Sequence, residues 1–401
     1  MAEQVQIRPR VGVIGGGQLA SMMASAAQSL GISMVVQTPN ANDPAVSLAT
    51  ETIFAEIEDA QATAELANHC DVITFENEFV DLDSLFPLSQ HGVCFRPRLE
   101  ALRVLLDKYD QLCFFQELGL PIPQFKALTK DGEEDNILHT VAKTWGFPVV
   151  LKTRRHGYDG QGTFILQDEA SLRSTWVKLG DSPLLLQEFV PFERELAVIA
   201  ARAVTGEVAV YPVVETCQID QVCRWVIAPA TITPTLTAQI EGIAQTLLNR
   251  LEAVGVFGIE FFLTASGQIF INEIAPRTHN SGHFTLDASH TSQFEQHLRA
   301  VCGLPLGDPQ MHCPGAVMVN LLGYEQAMVK PGTSQPLYEE KQQQLAKIPN
   351  AFVHWYGKTE SRPGRKLGHV TVLLETQSAE QRQREALAIV HKVELIWYAA
   401  Y

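Results

Sequence analysis

The chain has 401 residues, of which 46% are hydrophobic and 19% are charged, and its formal net charge is −15 at pH 7. This length exceeds what a single compact core usually organises, so we expect two or three domains, and the composition is typical of a soluble globular protein without the roughly 18 to 20 consecutive apolar residues of a membrane span. The acidic charge argues against nucleic acid as a partner, and seven cysteines without a Cys-x-x-Cys spacing argue against disulfides and a zinc site.

The first residues carry no hydrophobic segment of the kind that directs secretion, and we therefore expect a cytoplasmic protein. From Arg10 to about Arg98, apolar runs alternate with helix-like stretches. The runs that we predict to be strands are Val11–Ile14, Met34–Val36 and Val72–Phe75. This alternation predicts a parallel α/β unit.

A glycine-rich turn, Gly15–Ala20, follows the first predicted strand and opens a helix. Backbone N–H groups at a helix N-terminus favour an anionic group, so a bound phosphate or sugar edge is compatible with this turn. The glycine spacing departs from the dinucleotide fingerprint, and Gln37 stands where a ribose-binding acid would close the second strand. We therefore predict that the glycines allow close packing of strand against helix rather than NAD binding.

Two proline-containing junctions, 95–97 and 120–123, predict a helix between them and a second α/β body after it. The predicted strands of this body include Pro148–Lys152, Leu184–Val190 and Leu196–Arg202. A third segment, from about Cys313 to Tyr401, contains further strand-like runs. Its polar, Gln-rich stretch at 339–344 is predicted to be a linker.

A flexible loop with three glycines, 157–162, follows the predicted strand that ends at Lys152. Its N–H groups could fold over phosphates that the lysine neutralises, although a loop of this composition is also common as a surface turn. The acidic stretch that begins at Glu188 follows another strand. There the backbone groups of Glu188 and Val190 could contact an adenine edge, and Glu195 could accept hydrogen bonds from ribose hydroxyls.

The segment 255–263 reads as a strand, and a Ser-Gly hairpin signal at 266–267 places Glu260 and Glu273 on adjacent antiparallel strands. Two unpaired facing carboxylates would repel, whereas Mg²⁺ lets both stay ionised, and Asn272 adds a neutral oxygen. Because Mg²⁺ usually keeps phosphates as further ligands, the pair predicts a nucleoside triphosphate. An exposed hairpin with solvated glutamates is the alternative.

These pieces, in this order, resemble the ATP-grasp superfamily, and within it the family of 5-(carboxyamino)imidazole ribonucleotide synthetases. The motifs that carry the resemblance are Gly15–Leu19, Thr74–Glu78, Gly157–Gly160, Asn272–Arg277, His279–His283, His354–Lys358 and Arg362–His369. The resemblance covers nearly the whole chain. It implies an α/β fold with an N-terminal Rossmann-like pre-ATP-grasp domain over 1–105, an ATP-grasp domain over 106–310 and a small β-rich C-terminal domain over 311–401.

The resemblance also implies an activity. ATP would phosphorylate bicarbonate to carboxyphosphate, and the exocyclic amine of 5-aminoimidazole ribonucleotide would then be carboxylated, a step of de novo purine biosynthesis. The implied cofactors are ATP and Mg²⁺, with Mn²⁺ as an alternative ion. The family implies a homodimer and a transient handover of product to a downstream mutase, with neither nucleic acid nor a membrane as partner.

Catalytic roles are implied for five residues. Arg277, His279 and Asn280 would hold bicarbonate and the carboxyphosphate oxyanions. Tyr158 and Asp159, on the glycine loop, would orient the amine and relay its proton.

Binding roles are implied for three further sets of residues. Glu260 and Glu273 are assigned to the metal. The residues assigned to ATP are Lys108, Lys152, Gly157, Tyr158, Asp159, Gly160, Gln161, Gly162, Thr163, Gln187, Glu188, Phe189, Val190, Glu195, Gln218, Asn272 and Glu273. The residues assigned to the ribonucleotide are Gln18, Leu19, Glu78, Lys358 and Arg365.

Some positions depart from the family pattern. Lys108 stands where an arginine is usual, and Leu112 stands where a second cation would be. Gln161 and Gln218 replace a Lys or Arg and a His near the nucleotide. Because a lysine cannot reproduce the bidentate fork of an arginine, we expect altered contacts to the triphosphate.

Two other functions stay open at this point. A glycinamide ribonucleotide transformylase or a biotin carboxylase also activates a small carboxylate with ATP, but the Tyr-Gly-Lys and Arg-Pro-Gly-Arg motifs favour the imidazole acceptor. The missing cationic groups suggest a nucleotide-binding protein without turnover. The metal and oxyanion residues favour an active enzyme over that alternative.

Overall fold

The structure is a computed structural model that describes residues 9–128, 141, 143–155, 162–180, 182–325, 327–328, 336–358 and 360–398. Among these residues, no helix combines the length and the apolar character needed to cross a membrane.

The chain begins with a four-stranded parallel sheet in the order β3-β2-β1-β4. Its strands are β1 (Arg10–Ile14), β2 (Ser33–Thr38), β3 (Glu51–Phe54) and β4 (Val72–Phe75). The helices of this part are α1 (Gln18–Leu30), α2 (Ala60–His69) and α3 (Leu82–Gln90). The inner strands are buried along nearly their whole length, as parallel strands covered on both faces are, and the predicted parallel α/β unit is confirmed.

Two helices, α4 (Leu99–Leu105) and α5 (Lys108–Glu117), occupy the stretch for which the sequence predicted one. The single helix is wrong because the chain breaks at Leu106 and Asp107. The Asp107 carboxylate accepts hydrogen bonds from the N–H groups of Tyr109 and Asp110, at 2.9 and 3.3 Å, and so starts a new helix.

A second, four-stranded sheet has the order β5-β8-β6-β7 and is antiparallel. Its strands are β5 (Phe125–Leu128), β6 (Val149–Thr153), β7 (Thr163–Leu166) and β8 (Leu184–Glu188), with α6 (Glu169–Leu179) between β7 and β8. The sheet has its own small core, which includes Leu151, Leu172 and Trp176. The predicted strands Pro148–Lys152 and Leu184–Val190 are confirmed as β6 and β8, and the two strands pair directly.

The largest sheet runs in the order β14-β13-β9-β11-β12-β15-β19-β17, and β10 pairs with β9 at its side. The strands of its first part are β9 (Phe192–Arg202), β10 (Val208–Val210), β11 (Val214–Ile219), β12 (Val222–Ala228), β13 (Gly255–Thr264) and β14 (Ile269–Ala275). The helix α7 (Pro234–Leu251) packs against β9 and β10 over the largest apolar core. A 3₁₀ turn (Asn280–Gly282) and the helices α8 (Thr285–Ala288) and α9 (Gln293–Val301) follow β14.

The last part of the chain continues the same sheet. Its elements are β15 (Gly315–Leu322), β16 (Ala327–Met328), α10 (Pro336–Leu345), β17 (Ala351–Trp355), β18 (Glu360–Ser361), β19 (Lys366–Leu374) and α11 (Ala379–Tyr398). Because β15 pairs with β12 along Trp225–Ala228, the sheet crosses the predicted division at 310/311 without a break. The division itself stays a prediction.

The Gln-rich stretch at 339–344 lies inside α10, so the predicted linker is wrong. Two apolar residues just outside the polar run, Tyr338 and Leu345, are seven positions apart and therefore lie on one face of the helix. Both are fully buried. Packing of this face stabilises a helix whose polar residues taken alone resemble a linker.

Candidate active site

Two carboxylates face one another on the hairpin β13–β14. Glu260 and Glu273 are directly paired in the antiparallel register, as the sequence predicted. Gly267 closes the turn with a φ of 80°, in the left-handed region that suits glycine, and its N–H donates to the carbonyl of Thr264 at 2.9 Å. A short turn with a defined register thus fixes the two acids on adjacent strands.

Two lysines from other elements converge on this pair. Lys108, the first residue of α5, donates a hydrogen bond to Glu273. Lys152 in β6 donates from Nζ to Asn272 Oδ1 at 3.1 Å, and Asn272 Nδ2 donates to Glu260 Oε2 at 3.2 Å. The structure therefore brings together five residues that the sequence assigned to one centre.

Burial acts strongly on these charged groups. Burial and the neighbouring Glu273 raise the pKa of Glu260. For Glu273, burial is outweighed by the charges of Lys108, Lys152 and His279, which together lower its pKa. Burial, together with the nearby Lys108, also lowers the pKa of Lys152 to about 8. The site therefore favours the ionised form of Glu273, whereas ionisation of Glu260 would need further positive charge nearby.

The donor set fits a hard divalent cation. Two carboxylates and an amide oxygen at one place are the all-oxygen ligands that Mg²⁺ prefers, and the raised pKa of Glu260 marks a site where added positive charge would be stabilising.

An imidazole and a guanidinium lie beside the pair. His279 Nε2 is 3.6 Å from Glu260 Oε1, and its Nδ1 lies 2.8 Å from the hydroxyl of Ser281. A Cβ atom on Gly258 would come 2.5 Å from that of His279, so the glycine in β13 makes room for the histidine. Arg277 donates from Nε to Glu78 Oε2 at 2.6 Å, which joins the central part of the chain to the first.

Three buried amides that sequence reasoning missed support this site. Gln111 is bonded to both the N–H and the carbonyl of Ile274, next to Glu273, and Gln293 is bonded to both the N–H and the carbonyl of His279. Asn320 is bonded to the Asn280 side chain. Only Asn320 had a signal in the sequence, as the one polar residue of an otherwise apolar strand.

The first glycine turn encloses a carboxylate of the protein itself. Cβ atoms on Gly15 or Gly17 would come within 2.6 Å of a Glu76 carboxylate oxygen, and the Leu19 N–H donates to Glu76 Oε1 at 3.3 Å. Burial raises the pKa of Glu76, and the nearby Arg277 opposes that rise. The acidic group at this helix N-terminus is therefore Glu76. Close packing of strand against helix is found at Gly12, where a Cβ atom would come 2.8 Å from the Leu66 side chain.

Gln37 also has a structural role. It is fully buried, donates to the Glu56 carbonyl at 2.7 Å and accepts from the Thr63 hydroxyl at 2.9 Å. Gln37 thus fills the position near the end of β2 at which a dinucleotide-binding fold would have an acidic residue.

The predicted nucleotide contacts fall on β7, β8, β9 and β11. The N–H of Glu188 donates to the Gln124 carbonyl at 2.9 Å, so among its backbone groups only the carbonyl stays a candidate for the adenine contact. Gln187, Phe189 and Val190 also stay candidates. Glu195 lies on β9, where burial raises its pKa to about 7 and one hydrogen bond from the Gln218 backbone opposes that rise.

The second glycine loop is described only at its end. Gly162 and Thr163 adjoin β6, where Thr163 pairs with Lys152 in the register. The other residues assigned to the loop lie outside the described residues: Gly157, Tyr158, Asp159, Gly160 and Gln161.

One of the departures from the family pattern, Leu112, has a structural explanation. Leu112 is 2% exposed and packs with Leu105 and Phe115 in the main core, so this position serves packing. The cation beside Asp107 comes instead from Arg154, whose Nε donates to both carboxylate oxygens at 2.8 and 3.0 Å.

The predicted ribonucleotide residues come from the first and third segments. Lys358 lies 5.6 Å from the centre of the Tyr356 ring, and its charge lowers the pKa of Glu76, where burial is the larger effect. Arg365 is paired with Glu360 at 2.9 Å. Gln18 is the first residue of α1, at the glycine turn. Because the charge of Lys358 acts on Glu76, the part of the third segment that carries Lys358 lies near this turn.

A histidine cluster beneath these residues does not have the geometry of a metal centre. Potential ligand atoms of Asp287, His354 and His369 lie within 4.8 Å of one another. The two imidazole rings are stacked at 4.5 Å and tilted by only 14°, so their in-plane lone pairs cannot point at one ion. His354 instead pairs with Asp287 at 2.8 Å, and His369 bonds to the Tyr356 hydroxyl at 2.7 Å.

Comparison with known proteins extends this description over the whole chain. Three family models match, for a ribonucleotide synthetase preATP-grasp domain (9–105), an ATP-grasp domain (113–294) and a phosphoribosylaminoimidazole carboxylase C-terminal domain (316–384).

Two curated relatives are N5-carboxyaminoimidazole ribonucleotide synthases. That of Synechococcus elongatus is 54% identical over 96% of this chain and 95% of its own length. That of Synechocystis is 51% identical over 97% of this chain and 98% of its own. A crystal structure of the Aspergillus clavatus N5-carboxyaminoimidazole synthase, in complex with ADP and 5-aminoimidazole ribonucleotide, matches with a TM-score of 0.84, 31% identity and coverage of 96% and 99%.

The sheet arrangement, the paired glutamates and the central family model define an ATP-grasp enzyme. Identity above 50% over almost the full length narrows the class further. The chain belongs to the N5-carboxyaminoimidazole ribonucleotide synthase family.

The partly buried Glu195 yields a test of its role. Its raised pKa means that the native state keeps a proton that the unfolded chain releases from about its ordinary 4.5 upward, so stability falls as the pH rises from there to about 7. Glu195→Gln removes this loss and should raise the free energy of unfolding at pH 8 by roughly 1 to 3 kcal/mol, less at pH 5. If Glu195 also accepts from ribose hydroxyls, the variant should bind ADP more weakly.

Urea unfolding at pH 5 and 8 and calorimetric titration with ADP measure both effects. The exposed Glu193→Gln, on the same strand, is the matched control and should change neither. A Glu195→Gln protein no more stable than the wild type at pH 8 would contradict the burial argument.

Proposed function

We propose that the chain catalyses the ATP-dependent carboxylation of 5-aminoimidazole ribonucleotide by bicarbonate, a step of de novo purine biosynthesis. The observation that carries this proposal is the facing pair of Glu260 and Glu273, with Lys108, Lys152, His279 and Arg277 beside it. Family membership supports the choice of substrates, because the relatives bear the name of this synthase.

The chemistry begins with a poor electrophile. An oxygen of bicarbonate attacks the γ-phosphorus of ATP, the bond from that phosphorus to ADP breaks, and carboxyphosphate forms. The exocyclic amine then attacks the carboxyl carbon, or CO₂ released from it, phosphate leaves, and the amine loses a proton to a base. Positioning and charge neutralisation supply most of the catalysis in such phosphoryl transfer.

Glu260 and Glu273 would hold Mg²⁺, with Mn²⁺ as an alternative, and Asn272 lies beside them. When bound, the ion would neutralise charge on the transferring phosphates. Lys108 in α5 and Lys152 in β6 lie next to the glutamates and would contact the same phosphates. A phosphate anion would also favour the charged form of Lys152, which burial disfavours.

Arg277, His279 and Asn280 would bind bicarbonate and stabilise the oxyanions of carboxyphosphate. Arg277 is held by Glu78, and His279 by Gln293, so neither group must reorganise when charge develops. Tyr158 and Asp159 stay candidates for orienting the amine, on the resemblance alone.

Lys358 and Arg365 would bind the ribonucleotide phosphate, with Gln18, Leu19 and Glu78 contacting the rest of the substrate. The influence of Lys358 on the pKa of Glu76 supports the approach of these two regions. Dimer formation, a cytoplasmic location and handover of product to a mutase belong to the same proposal on family grounds.

Isotope transfer tests the proposed function directly. Bicarbonate labelled with ¹⁸O should deliver one labelled oxygen to each phosphate released in the presence of ATP and 5-aminoimidazole ribonucleotide, because one bicarbonate oxygen bonds to phosphorus. Mass spectrometry of the phosphate at early times measures this transfer. Phosphate that takes its new oxygen from ¹⁸O-labelled water instead would show simple ATP hydrolysis and contradict the proposal.

Removing the phosphate-binding cations should affect one substrate selectively. Lys358→Ala and Arg365→Ala should each raise KM for 5-aminoimidazole ribonucleotide about tenfold or more, since a charge-assisted hydrogen bond contributes about 1.5 to 3 kcal/mol. KM for ATP should stay within about twofold of the wild-type value. The exposed Lys392→Ala, on α11, is the control, and an equal rise in both KM values would contradict the assignment.

A further inference from the structure

Asn320 is the one polar side chain in β15, whose sequence is Gly-Ala-Val-Met-Val-Asn-Leu-Leu. Every residue of this strand is buried, and Asn320 is 0% exposed. A buried amide is costly unless its polar atoms find partners, and here they do. The hydrogen bonds of the Asn320 side chain therefore account for an amide at this buried position.

Asn320 and Asn280 form a reciprocal pair of hydrogen bonds. Asn280 Nδ2 donates to Asn320 Oδ1 at 3.0 Å, and Asn320 Nδ2 donates to Asn280 Oδ1 at 2.8 Å. The second N–H of Asn320 serves the backbone carbonyl of Cys223 at 2.8 Å. Both N–H groups of Asn320 are thus used, whereas Asn280 has one N–H that Asn320 does not take.

The Cys223 carbonyl determines which way both amides point. A backbone carbonyl can only accept, so Nδ2 rather than Oδ1 of Asn320 must face it. With Asn320 fixed, a 180° flip of the Asn280 amide would place carbonyl against carbonyl and N–H against N–H. An isolated asparagine has little preference between these two orientations, and this one therefore owes its orientation to Asn320.

We propose that Asn320 is a positioning residue for the carboxylation: through Asn280 it keeps an N–H donor, and not a carbonyl oxygen, available to bicarbonate. The proposal rests on the proposed function, in which Asn280 contacts bicarbonate. An anion is attracted by the N–H and repelled by the carbonyl, so the orientation alone decides whether Asn280 helps. A strand of the third segment thereby acts on a residue of the central segment.

A double-mutant cycle tests the route through Asn280. The four proteins are the wild type, Asn280→Ala, Asn320→Leu and the double variant, and the measured quantity is kcat/KM for bicarbonate at saturating ATP and ribonucleotide. Asn320→Leu should raise KM for bicarbonate about tenfold with KM for ATP within about twofold, whereas in the Asn280→Ala background it should change kcat/KM by less than about twofold. Losses that multiply in the double variant would overturn the proposal.

Gln296→Leu is the matched control. Gln296 is also a fully buried amide, and it bonds to both the N–H and the carbonyl of Gly307, at 2.7 and 2.8 Å. Its loss should lower the unfolding temperature as the loss of Asn320 does, yet leave KM for bicarbonate unchanged. An equal rise in that KM would show a general effect of destabilisation and overturn the positioning role.

Asn320→Asp provides a second variant of nearly the same shape should Asn320→Leu fail to fold. A carboxyl at this buried position has at most one O–H and cannot donate to both Asn280 Oδ1 and the Cys223 carbonyl, so KM for bicarbonate should again rise selectively. An unchanged KM in this variant would count against the proposal. A wild type that shows no carboxylation would refute the proposed function itself, whereas normal turnover with multiplicative losses would refute only the role of Asn320.

Discussion

The rest of the site depends on two carboxylates that face one another across a single hairpin. Glu260 and Glu273 are partly buried and repel one another, so they cannot both ionise easily without positive charge nearby, and the pKa of Glu260 is raised accordingly. This need explains why a helix start and a second sheet both meet the hairpin, since they carry Lys108 and Lys152. The need to neutralise two glutamates thereby brings together the β13–β14 hairpin, α5 and β6.

Residues from all three segments surround this pair, and the long sheet holds them in register. Because β12 pairs with β15, the third segment is continuous with the sheet that carries the acids, and Asn320 reaches the site from it. The first segment contributes through an ion pair between Glu78 and Arg277. Buried amides then fix groups that must not move when charge develops, which is the condition for electrostatic stabilisation of an oxyanion.

The sequence was sufficient to predict the facing acids and the parallel α/β unit, because a hairpin signal and apolar runs that alternate with helix-like stretches are local patterns. The rest of the fold class was implied by the family resemblance. It could not reveal that the first glycine turn encloses Glu76, since that contact joins residues about 60 positions apart. The Gln-rich stretch was wrongly predicted to be a linker for a similar reason. The helix α10 is stabilised by the tertiary packing of Tyr338 and Leu345, which the local sequence does not show. Gln111, Gln293 and Asn320 were missed because a single buried amide gives no periodic signal.

The most direct test of the central claim is ADP release measured against Mg²⁺ concentration, with and without 5-aminoimidazole ribonucleotide, for the wild type and for Glu273→Gln. The paired carboxylates predict release that requires Mg²⁺, rises with the ribonucleotide and falls more than about 100-fold in the variant. The exposed Glu193→Gln should behave as the wild type. ADP release by Glu273→Gln at the wild-type rate and Mg²⁺ dependence would contradict the claim that the facing carboxylates form the phosphoryl-transfer centre.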